Sequence, residues 1–499
     1  MPNYINIKNN QSIDFSLIPV LDYLDFLEFN TDLMNDETNH CVQYFGYKKV
    51  EGLRLICCMA NDNEGNIKIS SSEINLNEVY PSFSEKHLSF HVFEREMHEN
   101  FGIKYSNHPW LKPIRFPFNR ADKNSTIANY PFYEIESEEL HEVGVGPIHA
   151  GVIEPGHFRF ICNGEQILHL EIQLGFQHRG IEQLMLEKKN LLQRNILAES
   201  IAGDTVVGHT VAFSNLWESL CGFQATEDMQ FARTFALEWE RIAIHTGDLS
   251  AICTDIAYQL GSSVFGRLRT PIINTFQVWC GNRLAKSLIR AGKNQFPFTK
   301  DTAEAFTKTL DAYQPHFDEV YERMKNLPSV LARLEKTGVV TNEQGLNIGA
   351  VGMAARMCYI ERDIRKTHPH DLYKIIEHIP VLKKHGDVYS RTQIRKDEIY
   401  QSMEYVRYLM KNIPEISSKV PELKSPQKNL FTLSLIEGWR GEICHCAITD
   451  DNGELAIYKI KDPSLHNWLA LALAVRNNEI SDFPICNKSF NLSYCGNDL

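Results

Sequence analysis

Paired sulfur is what this sequence lacks first. Its 12 cysteines run from Cys41 to Cys495, and no two stand in Cys-x-x-Cys spacing. That removes the common zinc and dithiol signatures. A basic excess is also missing. The 51 Lys and Arg residues face 63 Asp and Glu, a formal net charge of −12, which argues against general nucleic-acid binding. Long hydrophobic runs are absent too. The longest clean one, Trp468–Val475, falls far short of the ~20 residues a bilayer span needs, so any membrane role requires a docking partner. Met1–Phe15 is polar and has no basic start followed by an apolar core. Without such a signal, the thiols are read as reduced and cytosolic. The remaining composition, 43 % hydrophobic and 23 % charged over 499 residues, describes a globular protein of more than one domain.

What is present is organised around Gly144–Met185. Two β-prone runs, Phe158–Cys162 and Ile167–Leu174, flank Asn163-Gly164, a strong short-range hairpin signal. The loop before them holds His149, Glu154, His157 and Arg159. Past Gly175-Phe176 the pattern predicts a helix carrying His178, Arg179 and Glu182, with His178 and Glu182 on one face. Upstream, a helical pattern over Leu17–Phe29 precedes strand-like runs at Cys41–Tyr47 and Leu53–Ala60, with a turn at Asn61–Gly65, an α+β arrangement. Phe116–Glu142 reads as a polar connection, with a domain boundary near residue 130.

Beyond the hairpin the periodicity is helical. Met229–Leu249, Ala251–Leu260, Phe276–Ile289 and Thr302–Leu327 are expected helices of a bundle, with Pro328 breaking the last. Asn347–Gly352 is a Gly-rich loop of the kind that can hold an anion. Arg356, Asp363, Arg365, Arg391 and Arg395 are expected to form internal ion pairs that keep helices in register. Short strands are expected at Cys444–Thr449 and Leu455–Ile460. Cys444 and Cys446 alternate on the first of these and share a face; buried packing is the simpler reading for them than a metal.

Several motifs carry a resemblance. Gly146-Pro147, His149, Glu154-Pro155-Gly156-His157-Phe158-Arg159, Leu170-Glu171 and His178-Arg179-Gly180-Ile181-Glu182 resemble the start of the large subunit of energy-converting [NiFe] hydrogenases. They equally resemble its relative in respiratory complex I, the forty-nine-kilodalton subunit. Glu437-Gly438-Trp439-Arg440-Gly441-Glu442 resembles a later motif of that family, with Trp439 in place of Pro. Phe93–Ile103 and His108-Pro109-Trp110-Leu111 resemble the signature of the thirty-kilodalton subunit of complex I. The resemblance implies an α+β domain like that smaller subunit over residues 1–130. A mainly α domain with a small β-hairpin or sheet, like the larger subunit and the hydrogenases, would follow over 131–499.

The hydrogenase metal site needs two Cys-x-x-Cys pairs, because nickel and iron take soft bridging thiolates. Ala202 and Thr205 stand where the first pair belongs. Near Ser493–Gly496, where the second belongs, only Cys495 is present, one step off register. The resemblance therefore implies no nickel–iron site and no cofactor bound by this chain. The larger complex I subunit lost the same cysteines and uses the space for a quinone headgroup, so a quinone or another small substrate is implied here. That subunit's tyrosine has no counterpart, with Leu197 and Gly203 nearby instead. Glu154 matches the hydrogenase proton-carrying glutamate, and Arg440 the arginine over the metal. With His157, Asp204 and His209 they form the candidate site, expected to line a polar cavity where the hairpin meets the helices. The implied setting is an oxidoreductase complex at the cytoplasmic face of the membrane. Its expected partners are a small subunit that holds an iron–sulfur cluster and antiporter-like membrane subunits. A structural coupling subunit without a substrate of its own is the alternative; an active hydrogenase large subunit is a further one, which the missing cysteines disfavour.

Overall fold

The structure, a computed structural model, describes residues 3–148, 153–417 and 419–499. His149 lies outside the described residues. The first part of the chain supplies β1 (Ile5–Ile7), β2 (Ile13–Asp14), β3 (Val20–Leu21), α1 (Tyr23–Leu33), β4 (Asn39–Lys48), β5 (Leu53–Asn61) and β6 (Asn66–Ile74). A short β7 (Val79–Pro81), α2 (His91–Phe101) and β8 (Lys104–Ser106) follow. The sheet runs β1-β6-β5-β4, with β3 parallel to β6. Helix α1 starts six residues later than the apolar pattern suggests, because Phe15–Leu17 forms a separate 3-10 turn capped by Asp14. Helix α2 stops at Gly102, whose φ of 78° is the left-handed conformation of a glycine C-cap.

The charges on α2 act as fasteners. Glu94 accepts from the backbone N–H groups of Phe83 and Ser84. Glu96 takes Arg115 at 3.0 Å and also Lys459, which comes from the far end of the chain.

Next come β9 (His141–Val145), β10 (His157–Asn163), β11 (Gln166–Gln173), α3 (Ile181–Glu187) and α4 (Leu191–Ala198). The β10–β11 hairpin forms as expected, but a bulge at Ile161/Cys162 shifts its register. Asn163 pairs with Gln166, so Gly164 (φ 58°) is the first central turn residue, as in a II′ turn. The predicted helix begins later than expected. His178 and Arg179 precede α3, so His178 and Glu182 do not share a helical face.

The helical body comprises α5 (Val206–Cys221), α6 (Glu227–Asp255) and α7 (Gln259–Cys280), a small β12–β13 ribbon (Ile289–Arg290, Lys293–Asn294), then α8 (Lys300–Lys325) and α9 (Pro328–Leu334). The two segments expected at 229–249 and 251–260 are largely one 29-residue helix, α6. The helix expected over 276–289 instead ends at Cys280, where Gly281 has a φ of 76°. Pro328 takes the first position of α9, where its missing N–H costs nothing. Phe235, Trp239, Trp279, Phe298 and Phe306 pack ring on ring in the middle of this body.

Short helices α10 (Asn342–Asn347), α11 (Met353–Arg356) and α12 (Ile364–Thr367) lead to α13 (Val388–Lys411). The chain closes with β14 (Leu430–Glu437), β15 (Glu442–Thr449), β16 (Leu455–Lys461), α14 (Ser464–Ala474), α15 (Phe483–Phe490) and α16 (Tyr494–Asp498). These last strands form a sheet in the order β16-β15-β14-β2, so the second strand of the chain joins the sheet made by its end. A shared core follows. Val42, Ile56 and Cys58 pack in one cluster with Leu433, Cys444 and Cys446. Both late cysteines are thus core residues, and burial raises the pKa of each thiol.

Arg356, Arg365 and Arg395 pair inside as expected, whereas Arg391 donates instead to the carbonyls of Gly338 and Gly386 and to Ser489 Oγ. Arg356 reaches Glu398 and Glu437 at 2.7 Å and Asp363 at 3.3 Å, while Arg365 holds Asp363 at 2.8 Å. These charges lie between α6, α12, α13 and β14, away from water. The Gly-rich loop packs against the backbone at Gly441. A Cβ on Gly352 would stand 2.2 Å from Gly441 Cα, so the glycines let two backbones touch.

Candidate functional site

The turn that leads into helix α5, Asp204 and Thr205, holds Arg440. The guanidinium donates to Asp204 through Nη1 at 3.1 Å and Nη2 at 2.7 Å. Its Nε donates to the Asn491 carbonyl at 2.6 Å, and Nη1 also donates to Thr205 Oγ1 at 3.0 Å. Trp439 completes the setting. Its Nε1 donates to the Asp204 carbonyl at 2.8 Å, and the Arg440 guanidinium lies 4.0 Å from its ring centre. The residue that replaces the family's proline thus becomes a wall of the site. Arg440 is buried, whereas the Asp204 side chain is 36 % exposed. One edge of the pair therefore faces solvent. Although burial opposes its charge, the neighbouring Asp204 carboxylate keeps the pKa of Arg440 above its ordinary value.

His209 lies one turn further along α5, fully buried. Its Nε2 is 3.0 Å from Asp462 Oδ2 and its Nδ1 is 3.1 Å from His445 Nε2. Asp462 also accepts from Ser464 N–H at 2.8 Å. Burial works against the Asp462 charge, but His209 and Arg440 hold its pKa below the ordinary carboxylate value.

Glu154 is half-buried on the other side of the C-terminal turn, beside Cys495. Burial and that neighbouring carboxylate push the Cys495 thiol up to about 11, so it is a neutral thiol near pH 7. Arg179 reaches the same edge, donating to the carbonyls of Ile201 at 2.9 Å and Cys495 at 3.1 Å.

His157 departs from the expected cluster. Phe158 points inward onto Trp468, Phe483 and Tyr494, and strand alternation turns His157 to the opposite face. There its ring packs 5.1 Å from that of Phe132. Asp204 and Arg440 are therefore joined directly and His209 is joined through Asp462. Glu154 borders the C-terminal turn, and His157 stands apart. Arg440 and its partners occupy the junction where an open cavity was expected.

The donor set does not fit a nickel–iron site. Ala202 and Thr205 offer no thiolate. A Cβ on Gly496 would stand 2.7 Å from Asp462 Cγ and 2.9 Å from Ser493 Oγ, so a carboxylate and a hydroxyl already fill that space. Hard oxygen donors are the wrong chemistry for that metal pair. Among the described residues no cluster of His, Cys, Asp and Glu is arranged to hold a metal ion.

Three groups escaped the sequence reading. Asp462 was visible only as the residue before Pro463. His445 sits between two cysteines, and alternation sends it away from them, towards α5. Glu240 is the third. Its Oε1 accepts from Val207 N–H at 2.9 Å and its Oε2 from Gly208 N–H at 3.3 Å. Burial pushes its pKa up to about 8, the Asp204 carboxylate adds to the rise, and the two N–H groups oppose it.

Two regions of the chain match known families. Residues 18–123 match the family described as respiratory-chain NADH dehydrogenase, 30 Kd subunit. Residues 261–435 match the family described as respiratory-chain NADH dehydrogenase, 49 Kd subunit. The chain is 25 % identical to hydrogenase-4 component G of Escherichia coli over 78 % of its own length and 67 % of the relative's. It is 25 % identical to the C/D polypeptide of the NADH-quinone oxidoreductase of Phocaeicola vulgatus, covering 87 % of this chain and 89 % of that one. Formate hydrogenlyase subunit 5 of Escherichia coli is 26 % identical over 73 % of this chain, which spans 64 % of that relative. The chain thus carries, in one polypeptide, a region similar to the 30 Kd subunit and a region similar to the 49 Kd subunit of the respiratory-chain NADH dehydrogenase.

Proposed function

We propose that this chain is a peripheral-arm subunit of a membrane-bound oxidoreductase complex related to complex I and to the hydrogenases. It would couple electron transfer to proton or ion movement. Its partners would be a small subunit that holds an iron–sulfur cluster and antiporter-like membrane subunits, which attach it to the cytoplasmic face. Among the described residues no helix is long and apolar enough to cross a membrane. One observation carries the reading: a buried arginine, Arg440, is paired with a carboxylate, Asp204, that keeps one edge in water.

In this reading Arg440 stabilises the negative charge that develops on a reduced quinone-class or other small substrate. Glu154 passes protons past the C-terminal turn, and Asp204 exchanges its ion pair for a proton when Arg440 engages the substrate. A carboxylate at the edge of water can take up and release a proton in such a role. His157, on the far face of β10, is left outside the path.

Glu154→Gln in the assembled complex is expected to lower turnover at least tenfold with assembly intact. Unchanged turnover would remove the proton role. Stoichiometric nickel in the purified chain would overturn the whole reading. A structural coupling role without a substrate is the second reading. What favours it is that Arg440 already has partners at Nε, Nη1 and Nη2. Full turnover in both Glu154→Gln and Asp204→Asn would select it.

A further inference from the structure

Behind the Arg440 pair a hydrogen-bonded line runs through the protein from Asp462 to Tyr458. Asp462 Oδ2 lies 3.0 Å from His209 Nε2, His209 Nδ1 lies 3.1 Å from His445 Nε2, and His445 Nδ1 lies 2.7 Å from the Tyr458 hydroxyl. All four side chains are buried, at 2 % exposure or less. They come from α5, β15, β16 and the residue after β16, so the line exists only in the folded chain.

Its polarity follows from valence. Asp462 is a carboxylate and can only accept, so His209 donates from Nε2. With one proton per ring, His209 Nδ1 then accepts, and the only donor facing it is His445 Nε2–H. His445 Nδ1 in turn accepts from the Tyr458 O–H. Every hydrogen points towards Asp462. Burial and the neighbouring His209 hold His445 well below the ordinary imidazole value, which keeps that ring neutral at rest.

The two ends reach different places. At the Asp462 end, Arg440 is within electrostatic reach and Gly496 packs directly against the carboxylate. Beyond Gly496, Ser493 Oγ contacts Cys495, the neighbour of Glu154. At the other end, Tyr458 is part of the wall of a groove of about 370 Å3 between α2 and α3, which Glu96, His178, Glu182 and Lys459 also line. Cys446, Arg194, Cys444 and Glu182 are the charged or titratable groups that bear on Tyr458.

We propose that Tyr458, His445, His209 and Asp462 form a proton-conducting chain between that groove and the Arg440 site. It deepens the proton-coupling reading above and rests on it for its purpose, but not for its test. A proton delivered to the Tyr458 oxygen releases the phenolic proton to His445 Nδ1. His445 passes its Nε2 proton to His209 Nδ1, and His209 passes its own to Asp462. One proton enters, one carboxylate is protonated and no electron moves. Both imidazoles are left as the opposite tautomer, so the chain resets by return of a proton or by ring rotation before it conducts again.

The test uses the full chain with 15N-labelled histidine and needs no substrate. Both rings are expected as Nε2–H tautomers. Their N–H protons are expected to exchange with water faster than the buried backbone amides of α5. Tyr458→Phe removes the outer link and is expected to slow exchange at both rings at least tenfold with the tautomers unchanged. His445→Gln cuts one link further in and gives the same readout at His209 if Tyr458→Phe does not fold. Opposite tautomers, or exchange that neither substitution slows, would overturn the proposal. Loss of turnover in Glu154→Gln, or its absence, bears only on the reading of the site.

Discussion

Two regions of this molecule are built from the same ingredients, arginines and carboxylates out of water, and they differ in completeness. In the helical body Arg356, Arg365 and Arg241 share Glu398, Glu437, Asp363 and Glu238, with His378 adding its Nε2 at 3.0 Å from Asp363. Nearly every member is dry on all sides. Mutual attraction there offsets the cost of removing each charge from water, and any loss leaves an uncompensated neighbour. At the start of α5 the pair is single, and Asp204 keeps part of its hydration. A closed network fixes geometry, whereas an edge pair can exchange partners. That contrast is why the second region, and not the more heavily charged first, is read as the working site.

The comparison can be broken at its strong end first. Arg356→Met leaves buried carboxylates without their cation and is expected to destabilise the chain by about 3–5 kcal/mol in chemical denaturation. A loss below about 1 kcal/mol would mean that the network is wetter than it looks. Gly496→Ala comes next. Its Cβ meets Asp462 and Ser493 Oγ, and overpacking of this kind costs about 1–3 kcal/mol. Asp204→Asn is expected to cost less, about 1–2 kcal/mol, because solvent screens the exposed edge of the pair. If Asp204→Asn costs as much as Arg356→Met, the two regions are not different in kind.

Glu240 gives the sharpest sign. Its folded pKa of about 8 exceeds that of the unfolded chain, so the folded protein holds a proton that the unfolded one has released. Between pH ~4.5 and 8 the native state therefore binds more protons, and this group's contribution to stability falls as pH rises. Glu240→Gln removes that dependence. The variant is expected to gain stability relative to the unmodified chain as pH climbs through this window, read from denaturation midpoints at several pH values. A difference that does not change with pH would place an ionised carboxylate at Glu240.

Much of this was legible beforehand because it depended on local pattern. The β10–β11 hairpin, the run of helices and the late strands all follow from periodicity and turn residues. So did the internal pairing of Arg356, Asp363 and Arg365, since so many charges in apolar helices must find each other. The misreadings came where distant backbone decides. Gly352 stands in a Gly-rich run whose packing role shows only once Gly441 is seen against it. His157 sits in the family's motif, yet a single-residue alternation on β10 turns it away from the site. Asp462, His445 and Tyr458 carry no spacing that marks them as a set. Only the pairing of β15 with β16, and the packing of Tyr458 against Phe213 of α5, bring them into line.

Strand β2 has a consequence for how such a protein can be divided. Asp14 and Ile13 bond to Leu430 and Phe431, more than four hundred positions downstream. The opening segment is thus a clasp across the whole polypeptide. Were the two halves made as separate products, this short ribbon would have to re-form between molecules, and cutting it away would bare the edge of β14 to any other strand nearby.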